Sequence, residues 1–365
     1  MRVLINAVHS KSGGGVTYLR NMLPLLRAEG LDLHVVVQAD QEDMAREVCG
    51  TLPLHILPLR SKLVTVLLQE QIALPILAAR LKARVVFSPA NYGPLLGVRS
   101  VLLLRNAFEV DSLEKRWSKR AYWRAVRLLT WACFKTCRRA IIVSAHACRA
   151  FLDGFGLADD PRISVVHHGV GTAFHPPADD GVRVRHRLLA VSDLYVQKNF
   201  ETLLRAVARL KPDFPDLSLH IAGRALDPAY AQGLRDLCHD LKLDGAVTFL
   251  GGQPPARVAA LYREAQVFVF PSLVETFGNP LVEAMASGIP IVCTKAAAMP
   301  EILGDAGILV QPRDVDSMAD AIARLLGDPA LWRVTADKGL DRAKAFSWKK
   351  NARLTAAILR EAGEA

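Results

Sequence analysis

Short apolar runs alternate with longer amphipathic stretches along the whole chain, and they do so in two series. The first series reads RVLINAV, VTYLRNMLPLLRAEG, LHVVVQ, a helical stretch from Leu63 to Leu81, ARVVFSPA, SVLLLRNA, a basic helix and AIIVSA. A Pro- and Asp-containing segment, GTAFHPPADDGV at residues 171–182, interrupts the pattern. It then restarts with HRLLAVSDL, NFETLLRAVARL, LSLHIAG, AYAQGLRDLCHDL, AVTFLG, RVAALYREA, VFVFPS, a helix from Pro280 to Ser287, PIVCT, GILV and MADAIARLLG. Runs such as VVV and VFVF are apolar on both faces, which suits strands inside a parallel sheet covered by helices on both sides. The pattern predicts an α/β chain of two doubly wound, Rossmann-like domains, residues 1–172 and 173–346, with a C-terminal helix, 347–365, packing back toward the first. At 365 residues and 51% hydrophobic composition, there is material for two cores. Ligands in such sheets bind beyond the carboxyl ends of the strands, so the expected site is a cleft across which the domains face.

Several function classes lose support at this level. The longest apolar run, LVTVLLQEQIALPILAARL from Leu63, is interrupted by Gln69, Glu70 and Gln71 and would be costly to bury in lipid. MRVLINAV has one basic residue and ends at His9, which fits a first buried strand better than a secretory signal. The expected location is the cytoplasm. Six cysteines without a CxxC pair suit a reducing compartment, and Cys133, Cys137, His146 and Cys148 read as packing residues rather than a zinc set. The net charge of +10 is concentrated: Lys115 to Arg139 holds nine basic residues, with no acid between Glu114 and Asp153. At 100° per residue, Arg116, Lys119, Arg120, Arg124 and Arg127 share one side, while Trp117, Ala121, Ala125, Leu128, Leu129 and Ala132 fall largely elsewhere. Two readings stay open: a solvated face over a core contact, or docking on anionic headgroups at the inner face of a membrane. No zinc-finger spacing, RNP-like strand or helix-turn-helix accompanies the charge, so nucleic acid is not an expected partner.

Four segments can carry chemistry. SKSGGGVTYL follows the first strand; Gly13 to Gly15 permit close backbone approach to a phosphate, although a tight turn uses glycine as well. It is neither GxGxxG nor a P-loop, which disfavours a dinucleotide enzyme or a kinase-type ATPase. In ETFGNPLVE, Gly278 permits close approach and Pro280 fits the first helical position. The segment Phe277, Gly278, Asn279, Pro280 and Leu281 then presents a positive helix end to an anion. Glu275 before that helix and Glu283 in its first turn would flank a diphosphate and accept hydrogen bonds from sugar hydroxyls; compensation of the helix dipole is the plainer account of either acid alone. Lys198 in SDLYVQKNF and Arg224 in IAGRALD end strands of the same sheet and could meet the phosphates, while a surface lysine and an ordinary ion pair are the alternatives.

ETFGNPLVEAMASGIPIV, preceded by LYREAQVFVFPS and followed by AAAMPEILGDAGILVQPRD, closely resembles the donor-binding half of glycosyltransferase family 4, whose fold is the two-domain GT-B. VTFLGG, VVHHGV, YVQKNFETLLRA, AIIVSAHACRAFL and FSWKKNARLTAAILREA are similar to that family's landmarks, strongly from about Val191 to Gly327 and more loosely before it. The resemblance implies a retaining, metal-independent hexosyltransferase that moves a sugar from a nucleotide-sugar to a glycan or lipid-linked acceptor in cell-surface polysaccharide synthesis. It implies that Glu283 binds ribose hydroxyls and that Glu275 contacts the transferred sugar. Phe277, Gly278 and Asn279 would offer backbone donors, Lys198 would neutralise the leaving diphosphate, and Gly14 and Gly15 would close over it. No cofactor and no metal is implied, the nucleotide-sugar being a co-substrate. The lone DxD, Asp314-Val315-Asp316, reads as a helix cap.

Two positions depart from the family pattern. Asp193 stands where an arginine is common, five residues before the phosphate lysine, so a cation must come from elsewhere, with Arg224 the candidate. Arg105 and Asn106 occupy the place of a first-domain histidine; Asn106 can exchange hydrogen bonds with a sugar hydroxyl but cannot titrate near neutral pH. These departures support the competing reading, a degenerate GT-B protein that binds nucleotide-sugar without transfer. SDLYVQKN and HHGV look somewhat like mannosyltransferase members, which makes GDP-mannose the expected donor and UDP-sugars the alternative.

Overall fold

The structure, a computed structural model, describes residues 1–11, 13–58, 66, 68–106, 116–179 and 182–364. The chain divides into two compact units: one is Val170–Phe346, and the other is the described chain before it together with the C-terminal helix. The sequence boundary at residues 172/173 lies three residues beyond the observed one.

The first unit holds a seven-stranded parallel sheet in the order β3-β2-β1-β4-β5-β6-β7. Its strands are β1 (Arg2–Asn6), β2 (Asp32–Gln38), β3 (Leu54–Leu57), β4 (Val85–Ser88), β5 (Ser100–Leu104), β6 (Arg139–Ile142) and β7 (Ile163–Val165). Val3, Leu4, Val35, Val36, Val101 and Leu102 are fully buried, as both-face coverage requires. Part of the helical stretch read from Leu63 lies outside the described residues; its remainder is a π-helical turn, Gln69–Ala73, running into the helix Leu74–Arg80. The C-terminal helix Trp348–Glu364 belongs to this unit, where Arg99 donates to the Gly363 carbonyl at 2.7 Å and Asn351 to that of His167 at 2.7 Å.

The second unit holds a six-stranded parallel sheet in the order β10-β9-β8-β11-β12-β13. These are β8 (Arg187–Val191), β9 (Ser218–Ala222), β10 (Val247–Gly251), β11 (Val267–Phe270), β12 (Ile291–Thr294) and β13 (Ile308–Val310). The core joins Leu188, Leu219, Val267 and Val292 of the strands to Leu203, Val207, Met318 and Ile322 of the covering helices. Strand order reverses between β8 and β11, and the crevice beyond their carboxyl ends is where an open α/β sheet receives a ligand.

Candidate active site

Two loops meet at that reversal. After β8 the chain forms a 3-10 turn, Val196–Lys198, and Asn199 follows with φ of 53°, a left-handed conformation that asparagine tolerates better than most residues. Asn199 is buried because its side chain does structural work: Nδ2 donates to the Pro271 carbonyl at 3.1 Å and Oδ1 accepts from Thr202 Oγ1 at 2.8 Å. Leu273 N donates to the Gln197 carbonyl at 2.8 Å, closing the β8 loop onto the loop after β11. From the other side, Ala298 N donates to the Glu275 carbonyl at 3.3 Å and the Thr294 hydroxyl to that of Ser272.

This bracing brings Lys198 Nζ to 2.5 Å from Glu275 Oε1, with the side chains only 14% and 16% exposed. The lysine and the first glutamate of ETFGNPLVE thus neutralise each other. A pair this shielded loses much of its hydration, and removing one partner leaves a charge with costly desolvation.

The helix after this loop runs Asn279–Ala286, one residue earlier than Pro280 as its start and one short of Ser287. Pro280 is its second residue, and Glu283 its fifth, in the second turn rather than the first. Gly278 caps it with φ of 85° and ψ of 61°, and a Cβ there would come within 3.3 Å of Leu281. The Phe277 side chain is buried edge-on to Phe346, with centroids 5.7 Å apart, and so anchors the loop. Leu281 is buried under the first turn, its amide donating to the Gly278 carbonyl at 2.9 Å.

Glu283 is half-buried, and Tyr262 Oη lies 3.1 Å from its Oε2. Burial pushes the Glu283 carboxyl up to about 7, with the Tyr262 hydroxyl bond pulling the other way. Tyr262 was not singled out by sequence; a tyrosine in LYREA carries no signal of the acid it will face.

Arg224 does not stand as an uncompensated cation. Its Nη2 reaches Asp193 Oδ2 at 2.7 Å, its Nε reaches Oδ1 at 3.2 Å, and its backbone amide donates to the same Oδ1 at 2.8 Å. The departure at Asp193 and the arginine on the neighbouring strand are one feature, a fork-to-carboxylate pair at the carboxyl ends of β8 and β9. Asp314 accepts from Ser317 N at 2.9 Å and caps the helix Val315–Gly327, and no metal-ligating cluster occurs among the described residues.

The first-unit candidates stand at the carboxyl edge of their own sheet. The helix Gly14–Ala28 begins at Gly14, and only Gly13 of the glycine run has positive φ, 56°. Gly15 is buried where a Cβ would sit 3.0 Å from Arg105 Nη2, so the run admits a guanidinium at the helix start. Asn106 is half-buried, with the amides of Arg105 and Asn106 both donating to Asn91 Oδ1, at 2.7 and 2.8 Å.

Two parallel doubly wound sheets, with a helix-capped crevice at the reversal of the second, define a GT-B glycosyltransferase fold. Residues 185–328 match the family described as Glycosyl transferases group 1, and residues 12–174 match Glycosyltransferase Family 4. The chain belongs to this glycosyltransferase family. It is 33% identical over 267 residues to the MMP alpha-(1->4)-mannosyltransferase of Mycolicibacterium hassiacum, covering 70% of this chain and 62% of that one. It is 40% identical over 106 residues to O-antigen chain mannosyltransferase B of Escherichia coli, covering 29% of this chain and 28% of that one. The chain thus spans less than two thirds of the length of these curated relatives. Among solved structures it resembles sucrose-phosphate synthase from Thermosynechococcus elongatus (TM-score 0.82, 21% identity, 99% and 98% of the two chains). It also resembles Anabaena HepE in complex with UDP-glucose (TM-score 0.79, 17% identity, 99% and 100%). At these identities the structural likeness establishes the fold.

Proposed function

We propose that the chain is a retaining hexosyltransferase, independent of metal, that moves a sugar from a nucleotide-sugar to a hydroxyl of a glycan or lipid-linked acceptor in cell-surface polysaccharide synthesis. The observation that carries this reading is the Lys198–Glu275 pair at the β8/β11 crevice, beside the Gly278-capped helix that bears Glu283. A bound donor gives each charge a replacement partner: the diphosphate for Lys198, the hydroxyls of the transferred sugar for Glu275. Glu283, one oxygen held by Tyr262, accepts from the ribose hydroxyls. Arg224, fixed by Asp193, stands by as a second cation. The acceptor hydroxyl attacks the anomeric carbon on the face the diphosphate leaves, a diphosphate oxygen takes its proton, and the anomeric C–O bond to phosphate breaks. Glu275 orients the sugar and forms no bond to it. The mannosyltransferases among the relatives favour GDP-mannose, and the neighbours solved with UDP or UDP-glucose make UDP-sugars the alternative.

We also assign the helix Trp117–Thr136 to an anionic membrane surface at the cytoplasmic face. Lys115 lies outside the described residues, but Trp117 is 82% and Leu128 68% exposed beside exposed Arg116, Lys119, Arg120 and Arg124. Only Thr130, Cys133 and Phe134 of the helix are buried. Its apolar side is therefore not spent on a core contact over the first three turns, which favours the docking account.

The test is donor turnover in EDTA with GDP-mannose and UDP-glucose, supplied with glycan and lipid-linked acceptors. The expected result is nucleoside diphosphate release with retained anomeric configuration. A sugar trapped covalently on Glu275, or release that depends on Mg²⁺, overturns the mechanism. Tight donor binding with no release favours the non-transferring protein.

A further inference from the structure

The first unit contains a polar cluster that the donor reading does not use. It lies at the carboxyl ends of β1, β2 and β4, the edge at which a doubly wound sheet takes ligands. Asn6, the last residue of β1, donates through Nδ2 to Glu70 Oε1 at 2.6 Å and to Ser88 Oγ at 3.1 Å. His9, in the loop that follows β1, places Nε2 at 3.1 Å from the same Glu70 oxygen. Gln38, the last residue of β2, donates to Gln69 Oε1 at 3.1 Å. Gln69 and Glu70 enter the cluster from the π-helical turn, a geometry frequent at functional sites.

Glu70 is 1% exposed, and among the described residues its Oε2 has no hydrogen-bond partner; nor have Asn6 Oδ1, Ser10 Oγ and Gln69 Nε2, all buried. Folding leaves such groups unmet at a cost that the surrounding hydrophobic packing must offset, and a ligand or bound solvent is the usual reason they persist. His9 is the least buried member, with its side chain 15% accessible and its ring edge-on to Tyr92, centroids 4.5 Å apart. Glu70 Oε1 already accepts from the Asn6 amide, so it accepts from His9 as well, which puts the imidazole proton on Nε2. Nδ1 then keeps its lone pair and has no partner among the described residues. A histidine whose far nitrogen is held by a buried carboxylate is oriented to receive a proton donor on the other.

We infer that His9 Nδ1 receives a hydroxyl of a sugar acceptor, and that Glu70 is the positioning residue that fixes His9 for it. This rests on the glycosyltransferase reading and names where the acceptor is recognised. The bond is one hydrogen bond from a neutral hydroxyl; the proton released on transfer still goes to the diphosphate. Among the described residues, the titratable side chains in contact with the imidazole are Glu70 and Tyr92, and Arg105 Nη2 stands 3.0 Å from where a Cβ on Gly15 would lie.

The experiment uses the full chain with ¹⁵N-labelled histidines. The His9 ring is observed by NMR while methyl α-D-mannopyranoside is titrated in, with saturating GDP present. The expected result is the Nε2–H tautomer, a saturable shift of Nδ1 on adding glycoside, and loss of glycoside affinity, read by calorimetry, in His9→Phe, which keeps a ring against Tyr92. Glu70→Gln is expected to mix the tautomers and weaken the glycoside about tenfold, leaving GDP affinity unchanged. A proton on Nδ1, a His9 signal indifferent to the glycoside, or a Glu70→Gln chain with wild-type tautomer and affinity overturns the inference. If Glu70→Gln does not fold, His9→Phe decides it alone. Loss of GDP binding with the glycoside response intact would instead refute the donor assignment.

Discussion

Glu283→Gln should make the second unit more stable and its nucleotide site weaker, and the stability gain should depend on pH. The native carboxyl is pushed from an ordinary 4.5 up to about 7 by burial. Between those values the folded chain holds a proton that the unfolded chain has released, so folding takes up a proton and stability falls as pH rises. The contribution of this group is full below pH 4.5, declines at roughly 1.4 kcal/mol per unit, and is spent above 7, about 3 kcal/mol in all, with about 2.5 kcal/mol of that between pH 5 and 8. Glutamine keeps the shape and the acceptor toward Tyr262 but does not titrate. The stability gap between variant and wild type should therefore widen in favour of the variant by about 2.5 kcal/mol from pH 5 to pH 8, then stay level. Urea titration read by pulsed hydrogen exchange of peptides from Val170–Phe346 isolates this unit from the other. Nucleoside diphosphate affinity at pH 8 should fall in the same variant, because an ionised acceptor for ribose hydroxyls is gone. A gap that does not change across the pH range would refute the burial of this carboxyl, and undiminished affinity would refute its role.

Three further outcomes are expected. Gly223→Ala places a Cβ 1.8 Å from the Ser192 carbonyl oxygen, a backbone atom that cannot step aside, so the second unit should lose about 3 kcal/mol or fail to fold; a near-native urea midpoint would contradict this. Arg224→Met removes the second cation and leaves Asp193 without its charge partner at the crevice, so calorimetry should show nucleoside diphosphate affinity reduced about tenfold and only partly restored in the double variant with Asp193→Asn; full restoration would show that the guanidinium does not meet the diphosphate. Arg120→Glu combined with Arg124→Glu should cut co-sedimentation with phosphatidylglycerol vesicles at least tenfold, in a salt-dependent way, since each base near an anionic surface contributes about 1 kcal/mol. Unchanged binding, or equal binding to neutral vesicles, would place the exposed helix elsewhere.

The two-sheet architecture was legible because parallel strands covered on both faces must be continuous apolar runs, and VVV in β2 and VFVF in β11 cannot serve any exposed surface. The Gly-Asn-Pro turn was legible for a similar reason: Gly278 adopts a left-handed conformation, and proline is welcome in the first turn of a helix. What sequence left open was pairing. Lys198 and Glu275 are 77 positions apart and Asp193 and Arg224 31 apart, and no local pattern states that one loop will be stapled to another. Asn199 and Thr202 do that stapling, yet each reads as an ordinary polar residue at a helix start. The cluster of Asn6, His9, Glu70 and Ser88 escaped for the same reason, since its members come from three separate segments and Glu70 looked like the residue that spoiled a membrane span. The start of the helix at Asn279 rather than Pro280 shows how a residue of offset moves an acid from a helix's first turn to its second.

The most direct measurement is a hydrogen-exchange footprint of the full chain with saturating GDP and, separately, UDP. Slowed exchange in peptides spanning residues 196–200 and 275–283, lost on Lys198→Met, is the predicted result for at least one of the two nucleotides. Nucleotide binding that leaves both segments unprotected would contradict the assignment of the β8/β11 crevice as the donor site.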